Sequence, residues 1–174
     1  MYKKKYNNIN KYINDRNKLK EILSKNGKLF RFLPYHLRND EELCIIACSS
    51  TNGEACKYAS KELLNNKEFA KRTIGKYIPV YLTYFSDDIK DDLEICKKEL
   101  YHYYLFSERL RKDKNLALKA VKHNWSNIYS VDKEIREDEE FYEELIALYW
   151  KGYKEEVTEI MECFRYDMLD NWCR

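Results

Sequence analysis

The chain has 174 residues, 36% of them charged and 44% hydrophobic, with only 4 glycines and 2 prolines. That composition is too apolar for a disordered chain and too poor in turn formers for a many-stranded β fold, so it predicts a helical protein. A formal net charge of +2 hides a gradient: residues 1–38 hold eleven Lys and Arg against two acidic residues, whereas residues 132–162 hold twelve acidic against four basic.

The chain opens on MYKKKYNNINKYIN, which is basic but lacks the apolar centre of a signal peptide. Its longest strongly apolar run, residues 43–48, is far too short to span a bilayer. A cytoplasmic protein without membrane contact is expected, and its six cysteines, at positions 44, 48, 56, 96, 163 and 173, are then expected as free thiols. Residues 1–33 read as a basic helical cap with a degenerate first repeat, because Asn26-Gly27 precedes Asn52-Gly53 by 26 residues.

The repeat becomes explicit from Leu37 onward. An apolar residue, two linkers, an Asp or Asn, two polar residues and a second apolar residue recur from Leu37, Leu63, Ile89, Leu110 and Ile135, at separations of 26, 26, 21 and 25 residues. Asp40, Asn66, Asp92, Asp113 and Asp138 carry side-chain oxygens suited to the free N–H groups of a new helix turn, and each predicts a helix N-terminus. Behind the caps, apolar residues at i, i+1, i+4 and i+5 make one helical stripe, as in Leu116, Ala117, Ala120 and Val121. The equivalent stripe slots Leu43, Cys48, Phe69, Ile74, Ile95, Leu100, Leu116, Val121, Phe141 and Ile146 are therefore expected to be mostly buried. Pro34, Ser60, Ser86, Ser107 and Asp132 each stand three residues before the motif's first apolar residue and suit the opening of a shorter helix. Phe32, Tyr58, Tyr84, Tyr104 and Tyr129 precede them by two or three residues.

Each unit thus predicts a short helix, a tight turn and a longer amphipathic helix. No single unit buries its own stripe, so neighbours must stack. The expected fold is all-α: a short, solenoid-like stack of helix pairs, with about five repeats over 34–150. Over 151–174, Val157, Ile160, Met161, Phe164, Met168 and Trp172 fall on a three-and-four spacing, which predicts a C-terminal capping helix.

LRNDEELCIIACSSTNGEACKYASKELLNNKEFA (37–70) and SERLRKDKNLALKAVKHNW (107–125) resemble the repeats called domain of unknown function 4116. The resemblance covers roughly residues 33–150. It rests on the L-R-x-D opening, the helix end Ala120-Val121-Lys122-His123-Asn124 and the junction Tyr58-Ala59-Ser60, and its pattern decays over 89–106. It implies tandem helical repeats and assigns no activity.

Chemistry-bearing motifs are sparse. Cys44, Cys48 and Cys56, with His36 upstream, have the residue types of a zinc site but not its compact spacing. Cys44 shares its slot with Ala70, Cys96 and Ala117, and Cys48 shares its slot with Ile74, Leu100, Val121 and Ile146, so core packing is expected and no metal or cofactor is assigned. His36, His102 and His123 fall in different units, without a nucleophile pattern or a glycine-rich phosphate loop, and no catalytic residue is assigned. Arg38, Lys90, Arg111 and Arg136 share one slot and suggest a basic ridge. Tyr101, His102, Tyr103, Tyr104 and Trp125 crowd more aromatic surface than one helix face buries, which marks them as anchors for a protein partner. Lys3, Lys4, Lys5, Lys11, Arg16 and Lys18, interleaved with Tyr2, Tyr6 and Tyr12, offer an alternative nucleic-acid surface. The leading expectation is a non-enzymatic protein-interaction module, an inhibitor or effector in its special form.

Overall fold

The computed structural model describes residues 9–74 and 81–149, and the expected C-terminal capping helix over 151–174 lies outside them. Every regular element among the described residues is helical, with no strand.

All five anticipated caps are made. Asp40 accepts from the Leu43 N–H, Asn66 from Phe69, Asp92 from Glu94 and Ile95, Asp113 from Leu116 and Asp138 from Phe141. They open the helices Glu41–Ser49, Lys67–Thr73, Leu93–Cys96, Lys114–His123 and Glu139–Tyr149. A further cap, Asp15, accepts from the Lys18 N–H and opens Arg16–Lys25. The chain before residue 34 therefore holds the long helix of a further repeat. Its motif is masked because Lys18, not an apolar residue, stands three positions after the cap.

The shorter helices also form, as Tyr35–Arg38, Lys61–Leu64, Asp87–Lys90, Glu108–Arg111 and Lys133–Arg136, opened by Pro34, Ser60, Ser86, Ser107 and Asp132. Ser60 and Ser86 also donate to Asn39 Oδ1 at 2.5 Å and Asn65 Oδ1 at 2.6 Å, and Ser86, unlike Ser60, accepts no helix N–H.

The unit has a third element that the helix-pair expectation lacks. Ahead of each short helix runs a 3-10 segment: Gly27–Phe32, Glu54–Tyr58, Leu82–Tyr84, Leu100–Leu105 and Trp125–Ser130. Each carries an apolar pair three residues apart. Phe30 and Leu33, Cys56 and Ala59, Leu82 and Phe85, Tyr103 and Phe106, and Ile128 and Val131 are all buried. The first member lies in the 3-10 segment and the second is the residue just past its end, and both face the core.

Two compact units result, one ending at Glu99 and the other beginning at Leu100. In the first, Arg16–Lys25 packs on Glu41–Ser49, and Lys67–Thr73 on Leu93–Cys96; in the second, Lys114–His123 packs on Glu139–Tyr149. Eight of the ten stripe slots are buried, and Leu100 and Ile146 are half-buried. Leu100 departs because its copy is five residues short: the long helix stops at Cys96 and Leu100 starts a 3-10 segment kinked at His102.

Polar bonds repeat with the fold. The residue after the cap reaches the next repeat's cap three times, as Arg16 to Asp40, Lys67 to Asp92 at 3.0 Å and Lys114 to Asp138 at 2.7 Å. At one junction glycine is required. The Gly27 N–H meets Ser50 Oγ at 2.9 Å, and that hydroxyl donates to the Leu23 carbonyl at 2.7 Å. A Cβ at Gly27 would overlap the Ala47 carbonyl and Ser50 Oγ.

Candidate functional site

The aromatic cluster anticipated around 101–104 divides by slot. Tyr103 stands four residues before the cap Ser107, where other repeats bury Phe30, Cys56, Leu82 and Ile128, and its ring is fully buried. Its hydroxyl donates to the Arg111 carbonyl at 2.8 Å, and its ring meets Phe106 edge-on at 5.3 Å. Burial pushes its phenol above the ordinary range. Tyr103 is thus a core residue and not a surface anchor.

Its neighbours turn outward. Tyr101 and Tyr104 are 60% and 57% exposed, with the half-buried His102 ring edge-on to each at 5.2 and 6.1 Å. Trp125 is half-buried and opens the adjoining segment, which carries the 55% exposed Tyr129. Tyr104 and Tyr129 occupy the same slot of successive repeats, three residues before Ser107 and Asp132. Counting back from the caps separates these surface tyrosines from Tyr103, a distinction that aromatic density alone conceals.

The two aromatic segments are joined from beneath. Asn127 is buried, and its amide donates to the carbonyls of Leu100 at 2.7 Å and Ala120 at 2.8 Å. A buried amide with two satisfied donors fixes Trp125–Ser130 against Leu100–Leu105.

The basic residues of the N-terminal third behave differently from the expected open patch. Arg16 is held by Asp40 and Glu42, and Lys18 by Glu21 at 2.6 Å. Lys11 is exposed, while Lys3, Lys4 and Lys5 lie outside the described residues. An excess of positive charge gathers elsewhere, in a cleft of about 210 Å³ where Lys28, Arg31 and Lys57 meet Thr51, Glu54 and Tyr58. Arg31 lies over the Phe32 ring at 4.6 Å and Lys57 over Tyr58 at 5.3 Å, the same cation–aromatic pair in two successive repeats. The proposed basic ridge is partly internal: Arg38 is half-buried and donates to the carbonyls of Leu33 and Tyr58.

Cys44, Cys48 and Cys56 are fully buried, as the core reading requires. Their sulfurs also converge, all lying within 4.8 Å of one another, with Cys44 and Cys48 at 4.0 Å. The left-handed Asn52 and Gly53, at φ 49° and 84°, reverse the chain and return Cys56 to the Glu41–Ser49 helix. Hydrogen bonds with Cys48 and then Cys56, together with burial, drive the Cys44 thiol up, whereas hydrogen bonds with Cys44 and then Cys56 hold Cys48 down. His36 is exposed on Tyr35–Arg38, and no histidine or carboxylate joins the thiols among the described residues.

No helix among the described residues is long and apolar enough to cross a membrane. No curated protein and no solved structure matches the chain. The family described as a domain of unknown function (DUF4116) matches over residues 15–64, 98–136 and 113–154. The first match begins at the Asp15 cap, the other two overlap across successive repeats, and the chain belongs to this DUF4116 family.

Proposed function

We propose that the chain is a non-enzymatic interaction module that binds a protein partner, as an inhibitor or effector, through the aromatic face of residues 100–130. One observation carries this reading: Tyr101, Tyr104 and Tyr129 are exposed on two adjoining 3-10 segments fixed from beneath by Asn127. Large rings on a rigid base lose little side-chain entropy on docking, and such residues dominate interface energies. His36, His102 and His123 belong to three different repeats, which favours binding over acid–base chemistry.

The test is capture from native host extract with a photo-crosslinking side chain at Tyr101, followed by binding measurements with the identified partner. The proposal expects Tyr101→Ser with Tyr104→Ser to weaken binding about tenfold or more. Charge reversal of Lys3, Lys4 and Lys5 should change it little. The reverse ordering would overturn the reading. A nucleic-acid role draws support from the Lys28, Arg31 and Lys57 cleft. It predicts RNA or DNA affinity that falls linearly with salt on logarithmic axes and is lost in Arg31→Glu with Lys57→Glu.

A further inference from the structure

We infer that Cys44, Cys48 and Cys56 form a binding site for one soft, thiophilic metal ion, copper(I), held by three sulfurs.

The inference begins with the repeat. Three slots enter the core in each well-formed unit: four and eight residues after the long-helix cap, and four before the next short-helix cap. They hold Leu19, Leu23 and Phe30 in the first copy, Ala70, Ile74 and Leu82 in the third, and Ala117, Val121 and Ile128 in the fifth, all buried. The architecture therefore sends all three side chains into the core, and only the second copy fills all three slots with sulfur. A single cysteine there is an ordinary small hydrophobe, as Cys96 is in the fourth copy. Three of them make a donor set.

The spacing suits a three-coordinate ion. A metal–sulfur distance of about 2.3 Å in a trigonal plane sets the sulfurs about 4.0 Å apart. Cys44 and Cys48 already stand at 4.0 Å, and no sulfur pair exceeds 4.8 Å. Closing the remaining gap needs side-chain adjustment of tenths of an ångström, with the two helical thiols one turn apart on Glu41–Ser49.

The surroundings choose the ion. Structural zinc is almost always four-coordinate, but among the described residues no histidine or carboxylate joins the group as a fourth ligand. Soft thiolates with no harder donor select copper(I). On binding, three S–H bonds break, three copper–sulfur bonds form and three protons pass to solvent, with no change in oxidation state.

The test uses the full reduced chain, without oxygen, carrying Cys163→Ser and Cys173→Ser, titrated with copper(I) against a chromogenic copper(I) chelator. The expected result is one equivalent withheld from the chelator, a sulfur-to-copper charge-transfer band, and X-ray absorption showing three sulfurs at about 2.3 Å. Cys44→Ala, Cys48→Ala and Cys56→Ala should each weaken binding about 100-fold or more, whereas Cys96→Ala should leave stoichiometry and affinity unchanged. Should a cluster variant fail to fold, the sulfur count from X-ray absorption decides, because the copper-loaded parent chain and its Cys96→Ala variant must both show three sulfurs. Failure to retain one equivalent, a sulfur lost in Cys96→Ala, or zinc held more tightly than copper would overturn the assignment.

Discussion

Asp113 caps a helix through a 2.9 Å bond from the Leu116 N–H, one of the same contacts made by cap residues along the chain. Asp113→Ala removes the side-chain acceptor offered to that donor while leaving the stripe intact, so urea unfolding should record a loss of about 1 kcal/mol. A change near zero would mean water replaces the cap at no cost. Gly27→Ala tests the opposite kind of residue, one defined by what it lacks. Its new methyl would press on the Ala47 carbonyl and Ser50 Oγ, and overpacking of this kind costs about 1–3 kcal/mol. The caps were legible in the sequence because a capping side chain must sit beside the onset of a stripe. The Asp15 cap was not, since Lys18 breaks that pairing, and Gly27 signalled a repeat without revealing the backbone approach that requires it.

At the scale of the element, the long helix is an amphipathic stripe and the 3-10 segment a pair of apolar residues three apart. Leu116 is nearly fully buried on Lys114–His123, and Leu116→Ala should destabilise the chain by about 2–5 kcal/mol in denaturant titration, according to how far the cavity collapses. The stripe was readable because it recurs over several turns. The 3-10 segment was not, since two apolar residues at a spacing of three fit an α-helix, a turn or a 3-10 helix equally well; contact with the neighbouring helices selects among them. That ambiguity is why Tyr103 was grouped with Tyr101 and Tyr104, although its slot belongs with Phe30 and Leu82. Convergence of the three thiols escaped the sequence for a related reason: Cys44 and Cys48 are one helical turn apart, but the return of Cys56 depends on the left-handed turn at Asn52 and Gly53.

Across the molecule, ion pairs between successive repeats reuse the cap carboxylates. The Lys114 ammonium and the Phe141 N–H hold Asp138 below the ordinary value of 3.8. At Asp40, partial burial alone would raise the carboxyl, but the Arg16 hydrogen bond and the Leu43 N–H outweigh it and the net shift is downward. Depressed carboxyl values in the folded state mean that this stabilisation is present above about 3.8 and is lost as pH falls through the folded values. The urea midpoint should therefore drop between about pH 5 and about pH 2, and drop less in Asp40→Asn with Asp138→Asn, which keeps both caps but removes both titrations. A parallel decline in parent and variant would locate the acid sensitivity elsewhere.

The account rests on one register, counted back from the caps, that assigns Tyr101, Tyr103, Tyr104 and Tyr129 to core or surface. Nitration of the native chain by tetranitromethane, mapped by peptide mass spectrometry, tests that register without knowledge of any partner. Tyr101, Tyr104 and Tyr129 should react readily, whereas Tyr103, fully buried with its hydroxyl on the Arg111 carbonyl, should react only after unfolding. Reaction of Tyr103 in the native chain at the rate of Tyr101 and Tyr104 would contradict the register and, with it, the aromatic face assigned to partner binding.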